Sequence, residues 1–399
     1  MDKKEKIINK ENIIKISFVA IVIAIISVIG ILTLMNNNEI SLKEGRELNL
    51  FPKITVKNLM TDKFYTNYTK AFADQLEFRE TFIKMYYLVN LQRYTGDVVK
   101  GKEHQLFLSP LIIPNKEKYI KNLKNAITND MNSVAKRVVD AGSKFIFVSI
   151  PRKDVIMDKY LPSSYIRGTE DYLEYIDIIN ENKSGDVTLI DAYELFRKNQ
   201  DEHYDVFYQT DHHMNIRGAY YIFEEIINEV NKDKNNIKLG ALEDEYEIDS
   251  RVINGSYNRK IGQSVAGKNE ELVLIPKNTK LKYTRKDNGE QVDTPIFGDG
   301  NTYAVAYMGT DYAETVIDTN NDDAPNILYV GSSYTNVLES LSVYKFNIMV
   351  SIDYRHNTTG KSIADYVKEY DIDYTIFICA QSTSSLAVGS MKEHLGLKK

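Results

Sequence analysis

The sequence has 399 residues, of which 43% are apolar and 27% are charged, and its formal net charge is -6. This composition supports a sizeable core and excludes wholesale disorder. The acidic balance argues against nucleic-acid binding, which depends on Lys and Arg at phosphates. A single cysteine excludes a disulfide scaffold and a cysteine-rich metal site.

The amino-terminal segment predicts a single-pass membrane anchor. Residues 16–35 read ISFVAIVIAIISVIGILTLM, which has no charge and is long enough to cross the hydrocarbon core. Five lysines in residues 1–15 predict a cytoplasmic tail, so the chain that follows the span lies outside the cell membrane. A cleaved signal peptide is the alternative, but its apolar stretch is normally shorter, and LTLMNNNEI lacks a small-residue cleavage site. We expect a polar stalk at residues 36–60 and an extracytoplasmic domain at residues 61–399.

The rest of the chain alternates helical patterns with strand-like runs. Helical spacing of apolar residues covers residues 62–92 and 116–141. Five continuous apolar runs predict a roughly five-stranded parallel sheet that is buried on both faces. They are KFIFVSI (144–150), DVTLI (186–190), ILYV (327–330), NIMVSI (347–352) and YTIFIC (374–379). Residues 238–310 interrupt the alternation, and we interpret them as a β-rich insertion that includes the short runs ELVLI and AVAYM.

An Asp-His motif directly precedes one predicted helix. Asp211, His212 and His213 come just before apolar residues at helical spacing, with Asn215 as the expected cap. An Asp two residues from a His can orient the imidazole ring and stabilise its protonated form during proton transfer. Local hydrogen bonding of the histidines is the simpler alternative. The neighbouring His203 and Asp205 could add metal ligands, but the spacing matches no regular metal motif, so we predict no metal and no cofactor.

A second motif follows the apolar run ILYV. Gly331, Ser332 and Ser333 stand between this strand and a predicted helix, which is the arrangement of a nucleophile turn. The glycine permits a sharp turn, and the helix start supplies N–H groups to a developing oxyanion. Because parallel strands end at one edge of a sheet, Asp211, His213 and Ser333 can meet there as carboxylate, base and nucleophile.

These two motifs resemble those of the DHHW proteins, relatives of the AlgJ/AlgX-type polysaccharide O-acetyltransferases. That family carries T-D-x-H-W and later G-D-S-[FY], matched here by residues 210–214 (TDHHM) and 331–334 (GSSY). Weaker similarity extends to residues 74–79, 149–153, 160–162 and 352–355, so that the resemblance covers roughly residues 60–385. Ser332 stands where the family usually has Asp, and Met214 where it usually has Trp.

The resemblance implies an SGNH-hydrolase-like, three-layer α/β fold and a serine acyl-enzyme mechanism. Ser333 would be the nucleophile, His213 its base and Asp211 the partner of the histidine. The N–H groups of Ser333 and Gly309 are the candidate oxyanion donors. Further candidates for substrate contacts are Lys153, Arg355, His212 and Tyr334, although a surface charge or an ion pair is an equal interpretation of Lys153 and Arg355.

The expected function is that of a membrane-anchored extracytoplasmic O-acyltransferase, with acetyl as the expected acyl group and a polysaccharide as the acceptor. Acetyl-CoA is a cytoplasmic donor, so the resemblance implies a partner of the membrane-bound O-acyltransferase type that delivers the acyl group across the bilayer. Two alternatives stay open at this point. One is an esterase or deacetylase that uses the same triad with water as acceptor. The other is a non-catalytic glycan-binding or assembly protein, which the departures at Ser332 and Met214 motivate.

Overall fold

The computed structural model describes residues 10–41, 46–89, 94–95, 97–199, 205–233, 235–265, 267, 269–278, 280–357 and 359–380. The first nine residues of the predicted cytoplasmic tail and His203 lie outside these ranges. The chain divides into two compact units. The first comprises Met1–Gly96 with Arg259–Ser264, and the second comprises Asp97–Asn258 with Val265–Lys399.

The first unit begins with a long apolar helix, α1 (Lys10–Met35). Within it, Asn12–Met35 has a mean hydropathy of 3.0 and is 6% buried, so length and composition fit a membrane span or a signal sequence. The other elements of this unit are β1 (Ile40–Ser41), β2 (Arg46–Glu47), α2 (Val56–Leu59), α3 (Asp62–Gln75), α4 (Arg79–Val89) and β3 (Tyr94–Thr95).

The helix predicted over residues 62–92 is therefore two helices. Thr61 begins α3, and its hydroxyl accepts a hydrogen bond from the Phe64 N–H at 3.3 Å. The chain turns between α3 and α4, where Phe78 has a φ of 58°. A left-handed residue cannot continue an α-helix, so the periodic apolar pattern runs across a break that it does not reveal.

The second unit contains the remaining elements. In chain order they are β4 (Val98–Lys100), β5 (Leu106–Leu108), α5 (Lys116–Ala126), α6 (Asn132–Asp140), β6 (Lys144–Ile150), α7 (Lys153–Ile156), α8 (Thr169–Asn182), β7 (Val187–Asp191), α9 (Ala192–Asn199), α10 (Ile216–Asn231), α11 (Leu242–Glu245), β8 (Tyr246–Val252), α12 (Ser256–Lys260, whose last two residues belong to the first unit), β9 (Asn269–Pro276), β10 (Thr284–Asp287), β11 (Glu290–Gln291), α13 (Tyr303–Ala306), β12 (Glu314–Asp318), β13 (Ile327–Gly331), α14 (Asn336–Ser342), β14 (Ile348–Asp353), α15 (Ile363–Glu369) and β15 (Tyr374–Ala380). A π-helical segment, Ile127–Met131, joins α5 to α6.

The central sheet has the order β11-β10-β12-β14-β13-β15-β6-β7. Its five parallel strands, from β14 to β7, are the five runs predicted from the sequence. Val330 in the middle strand lies opposite Ile352 on one side and Phe377 on the other. Three antiparallel strands, β12, β10 and β11, extend one edge, so the described sheet has eight strands rather than five.

Helices cover both faces of this sheet, which gives the predicted three-layer SGNH-like fold. Successive residues of β6 alternate between the faces: Phe145 and Phe147 join one core, and Ile146 and Val148 join the other. Helices α9, α10 and α14 pack on the face of Ile146, and α5, α6, α8 and α15 pack on the face of Phe145. The carboxyl ends of the parallel strands remain the edge at which a site can form.

Residues 238–310, which we interpret as a β-rich insertion, contain the strands β8 to β11. Strands β8 and β9 form an antiparallel pair, with ELVLI inside β9. Strands β10 and β11 instead join the edge of the central sheet. The β-type interpretation of AVAYM is wrong, because residues 303–306 form the short helix α13.

Candidate active site

The loop that carries Asp211 and His213 is held at both ends by backbone contacts. Phe207 and Met214 form an antiparallel bridge across it, and the Tyr208 N–H donates to the His213 carbonyl at 3.2 Å. Asn215 then caps α10, because its side-chain oxygen accepts hydrogen bonds from two N–H groups of the first turn at 3.0 and 3.1 Å. The expected cap is confirmed, and the loop is fixed against a 16-residue helix.

The turn that carries Ser333 follows the last residue of β13. Residues Ser333–Thr335 form a single 3₁₀ turn, after which α14 begins. The Ser332 carbonyl accepts hydrogen bonds from both the N–H and the hydroxyl of Thr335, at 2.8 and 3.0 Å. A Cβ at Gly331 would lie 2.5 Å from the Thr335 Cγ2 atom, so this tight turn requires a glycine.

The two loops bring Asp211, His213 and Ser333 into one hydrogen-bonded chain. The Asp211 Oδ1 atom lies 2.8 Å from Nδ1 of His213, and Nε2 of His213 lies 2.8 Å from Oγ of Ser333. Asp211 and His213 are buried, whereas Ser333 is half-buried. The pairing to the carboxylate places a proton on Nδ1 and leaves Nε2 free to accept the serine proton. These three groups have the relative arrangement of nucleophile, base and orienting carboxylate.

The Asp211 carboxylate is fully engaged. Oδ1 also accepts the N–H groups of His212 and His213, at 2.7 and 3.0 Å, and Oδ2 accepts the Ser256 N–H at 2.6 Å. Burial alone would raise the pKa of Asp211, but the neighbouring His212 and His213 hold it well below its usual range. Asp211 therefore remains ionised and keeps the histidine ring oriented.

Burial and, to a lesser extent, the neighbouring His212 lower the pKa of His213 to about 4, against the opposing effect of Asp211. The imidazole is therefore neutral at physiological pH. A neutral ring is the form that can accept a proton from a serine hydroxyl.

Aromatic rings enclose the imidazole of His213. Tyr303 from α13 stacks on it with ring centroids 3.8 Å apart and an interplanar angle of 5°. Its hydroxyl also accepts a 3.4 Å hydrogen bond from the Val337 N–H in the helix that follows Ser333. Tyr334 lies against the same imidazole at 4.9 Å. Sequence reasoning missed Tyr303 and the Ser256 N–H, because neither a buried ring nor a backbone donor carries a motif.

Lys153 and Tyr334, two candidates for substrate contacts, point into the protein instead. Lys153 is 3% exposed, and its ammonium donates to the carbonyls of Tyr208 and Gln209 at 2.6 and 2.7 Å. Tyr334 is 6% exposed, and its hydroxyl donates to the His212 carbonyl at 2.9 Å. Both side chains support the loop that carries the Asp-His motif, and their burial argues against direct contact with a substrate.

His212 and Arg355, the other two candidates, are partly accessible. The His212 side chain is 32% exposed, and its Nδ1 lies 2.7 Å from the Ser256 hydroxyl. The Arg355 guanidinium is 38% exposed and pairs with the carboxylates of Asp353 and Asp311. Asp311 in turn accepts a hydrogen bond from Asn336, three residues after Ser333, at 3.1 Å. The ion pair therefore lies beside the helix that follows the turn at Ser333.

The proposed oxyanion donor Gly309 lies in an unusual backbone turn. Met308 and Gly309 both have positive φ, of 62° and 88°. The buried Arg285 donates to the Met308 carbonyl at 2.7 Å and pairs with Asp287, which holds the peptide between the two turn residues. Because the C=O and N–H of a trans peptide point in opposite directions, this contact also fixes the direction of the Gly309 N–H. The oxyanion roles of Gly309 and of the Ser333 N–H stay predictions.

Two groups among the described residues bring histidine and carboxylate atoms within 4.8 Å of one another. The first is the Asp211 motif, in which the carboxylate already accepts four N–H groups. The second is Asp311, Asp353 and His356, in which Arg355 places a positive charge between the two carboxylates. These contacts suit proton transfer and ion pairing, and we assign no metal to either group.

Comparison with known proteins agrees with the fold and the motifs. Residues 98–320 match the family model described as an SGNH hydrolase-like domain of the acetyltransferase AlgX. No curated protein sequence matches the chain. The structure is similar to that of PatB1 from Bacillus cereus with a sulfonyl adduct, with a TM-score of 0.59 and 22% identity over 74% of this chain and 97% of that one. It is also similar to a DHHW family protein from Eubacterium siraeum, with a TM-score of 0.56 and 18% identity over 75% and 99% of the two chains. At such identities the two structures show a shared fold.

Proposed function

The chain belongs to the family of SGNH hydrolase-like domains of the acetyltransferase AlgX, and we propose that it is a membrane-anchored extracytoplasmic O-acetyltransferase that modifies a cell-surface or secreted polysaccharide. The observation that carries this proposal is the hydrogen-bonded chain from Asp211 through His213 to Ser333. Ser333 is the proposed nucleophile, His213 the general base and Asp211 its orienting partner.

The geometry supports a two-step acyl transfer. In the first step the Ser333 oxygen bonds to the acyl carbonyl carbon while its proton moves to Nε2 of His213. The bond from that carbon to the donor's leaving oxygen then breaks, and His213 returns the proton to the leaving oxygen. In the second step a sugar hydroxyl attacks the acyl-serine, its proton passes to His213 and then to Ser333, and the acyl ester of the sugar leaves. Asp211 stays ionised in both steps and stabilises the protonated imidazole.

The accessible side of the site supports a polar acceptor. His212, Ser256 and Arg355 offer a partly exposed imidazole, hydroxyl and guanidinium, and each can hydrogen-bond to sugar hydroxyls. The family is named for an acetyltransferase, which supports acetyl as the acyl group. The polysaccharide acceptor is our proposal, and it follows from the family resemblance together with these polar groups.

The apolar helix α1 supports the proposed location. Its 24-residue apolar stretch is long enough to cross a bilayer, and we propose that it anchors residues 36–399 outside the cytoplasm, with a stalk at 36–60 and the catalytic domain at 61–399. Acetyl-CoA is a cytoplasmic donor. We therefore propose that a membrane-bound O-acyltransferase partner supplies the acetyl group across the membrane.

The test uses the full chain in detergent micelles with p-nitrophenyl acetate as donor. We expect release of p-nitrophenol and an acetyl adduct in the intact mass, both lost in S333A and H213A, with the rate falling by about 10³-fold or more. S133A is the matched control, because Ser133 is an exposed serine on α6 whose hydroxyl bonds to the Asn129 carbonyl. Equal rates in S333A and in the wild type would remove Ser333 from the mechanism.

A second arm separates acyl transfer from hydrolysis. Polysaccharide is added to the same reaction, and ester-linked acetate on the polymer is measured after the small molecules are removed. Transfer to the polymer that depends on Ser333 supports the proposal. Release of acetate to water alone, with no acetylated polymer, would identify an esterase instead.

A further inference from the structure

Helix α4 presents an apolar stripe to solvent. Phe82, Met85 and Val89 recur at helical spacing along one side and are 40%, 55% and 78% exposed, and Phe78, which directly precedes the helix, is 56% exposed. Tyr86, which flanks the stripe, is 58% exposed. Contiguous apolar surface of this kind marks a contact site on a soluble domain. We call Phe78, Phe82, Met85 and Val89 the α4 stripe.

The opposite side of the same helix has a different character. Tyr87 is 3% exposed, and the half-buried Glu80 and the exposed Lys84 lie on the same side as Tyr87 at helical spacing. The stripe is therefore not the side on which Tyr87 is buried. The side of α4 opposite the stripe therefore carries charged residues, and one of them, Lys84, is exposed to water.

Hydrogen bonds join the start of α4 to the carboxyl end of α1. The Glu77 N–H, one residue before the stripe begins, donates to the Thr33 hydroxyl at 3.0 Å. Asn36 donates to the Gln75 carbonyl at 2.8 Å and to the Glu77 carboxylate at 3.0 Å. Thr33 is in the last turn of the apolar stretch, and Asn36 directly follows it. The turn between α3 and α4 is thus fixed at the level where α1 would leave the hydrocarbon.

The position of this turn along the membrane normal determines what the α4 stripe can contact. The headgroup region on each side of the hydrocarbon core is several ångströms thick, and α4 with its 11 residues is about 16 Å long. A helix that starts beside Thr33 therefore begins within the interfacial layer. Interfacial helices place Phe, Met, Val and aromatic residues toward the acyl chains and their charged residues toward water.

We propose that the α4 stripe lies in the outer interfacial layer of the membrane that α1 spans and contacts its lipids. The inference rests on the proposed membrane anchor, and it adds a second contact with the same membrane, made by α4 at the lipid surface. The partner is the lipid surface itself. A second copy of the chain or another part of this chain would cover the stripe without lipid contact.

The test places one fluorescent probe at a time on introduced cysteines of the full chain, reconstituted in phosphatidylcholine vesicles. The native Cys379 is buried, and this burial raises the pKa of its thiol to about 12, so it reacts slowly with the label. Probes at F82C and M85C report on the stripe, and a probe at K84C reports on the opposite side as the matched control. A probe at I23C, in the middle of α1, reports on the anchor. Thermal melting of each labelled protein checks that it is folded.

Nitroxide-labelled lipid and aqueous iodide then serve as quenchers. We expect F82C and M85C to lose more than about half of their fluorescence to nitroxide near the headgroups and little to iodide, with K84C showing the reverse. Strong iodide quenching at F82C and M85C, while I23C is quenched by lipid, would overturn the surface contact and leave the anchor intact. Iodide quenching at I23C would overturn the anchor itself. Protection of F82C and M85C from both quenchers would show that protein covers the stripe, which also contradicts the proposal.

Discussion

At Gly255, the addition of a single methyl group should disrupt the geometry of the candidate active site. Its Cα packs against the backbone that carries the Asp-His motif, and a Cβ there would lie 2.2 Å from the Thr210 carbonyl oxygen and 2.6 Å from the Asp211 nitrogen. The Gly255 N–H donates to the Thr210 hydroxyl at 3.0 Å. The next residue, Ser256, donates its N–H to the Asp211 carboxylate at 2.6 Å. The G255A substitution therefore forces apart two segments whose contact orients the carboxylate.

The size of the effect follows from these distances. Non-bonded carbon contacts normally lie at about 3.5 Å, so the two backbones must separate by about 1 Å. The bond from Ser256 to Asp211 would then lengthen from 2.6 Å to about 3.6 Å, which is no longer a hydrogen bond. Losing a hydrogen bond to a charged group costs about 1.5–3 kcal/mol, and overpacking adds about 1–3 kcal/mol. We expect G255A to lose about 3–5 kcal/mol of unfolding free energy and about 10²-fold in ester cleavage.

Urea unfolding and p-nitrophenyl acetate turnover measure the two effects. G185A is the matched control, because no atom lies within 4 Å of the Cβ that it adds, and it should behave like the wild type. A G255A protein with wild-type stability and turnover would refute the claim that Gly255 positions the Asp211 carboxylate. Lost stability with unchanged turnover in the folded protein would refute the catalytic part alone.

Three further predictions concern groups around the triad. His213 must be neutral to act as a base and its pKa is lowered to about 4, so kcat/KM should fall on the acid side only near pH 4. H212N removes a neighbour that lowers this pKa and should move the acid limb of the profile to higher pH. An acid limb at the same pH in H212N and in the wild type would contradict this prediction. Y303L removes the ring that stacks on His213, a contact worth about 0.5–1.5 kcal/mol, and should slow ester cleavage roughly 2- to 12-fold. Y303F keeps the ring and should cleave the ester at nearly the wild-type rate. Equal rates in Y303L and Y303F would exclude a role for the stacked ring. Burial raises the pKa of Glu339 to about 7, so between about pH 4.5 and pH 7 the folded state binds a proton that the unfolded state has released, and the free energy of unfolding should fall as pH rises through this range. In urea unfolding, E339Q should therefore be more stable than the wild type by up to about 3 kcal/mol at about pH 8, but by little at about pH 5. A difference that does not depend on pH would contradict this prediction.

Four of the five parallel strands, β6, β13, β14 and β15, were predictable because they are buried on both faces, whereas the edge strand β7, in which Thr188 is exposed, was recognised from a short apolar run. Burial on two faces demands a continuous apolar run, which a sequence displays directly. Strand β10 has the sequence TRKD, in which Arg285 and Asp287 are buried as an ion pair. No hydrophobic pattern marks such a strand, since pairing between charges replaces apolar burial. The antiparallel edge of the sheet was therefore missed.

Within the candidate site, too, some residues are marked by a sequence pattern and others are not. The meeting of Asp211, His213 and Ser333 was predictable, since the three residues stand in recognisable motifs. Ser256 contributes a backbone N–H, which every residue except proline possesses, and Tyr303 contributes a ring among 28 tyrosines. Only the fold of residues 238–310 brings these groups to the Asp-His motif. A glycine directly before Ser256 was the one available signal for close backbone approach.

Ser332 and Met214 depart from the family motif, and the contacts that each residue makes show whether the departure matters. Ser332 contributes its carbonyl, which accepts two hydrogen bonds from Thr335, and any residue at that position supplies a carbonyl. Met214 is fully buried and forms the backbone bridge with Phe207, which likewise does not depend on its side chain. The support on the face of the His213 ring comes from Tyr303 instead. Because neither departure supplies a contact that the hydrogen-bonded chain from Asp211 to Ser333 requires, the geometry favours an active enzyme over a decayed scaffold.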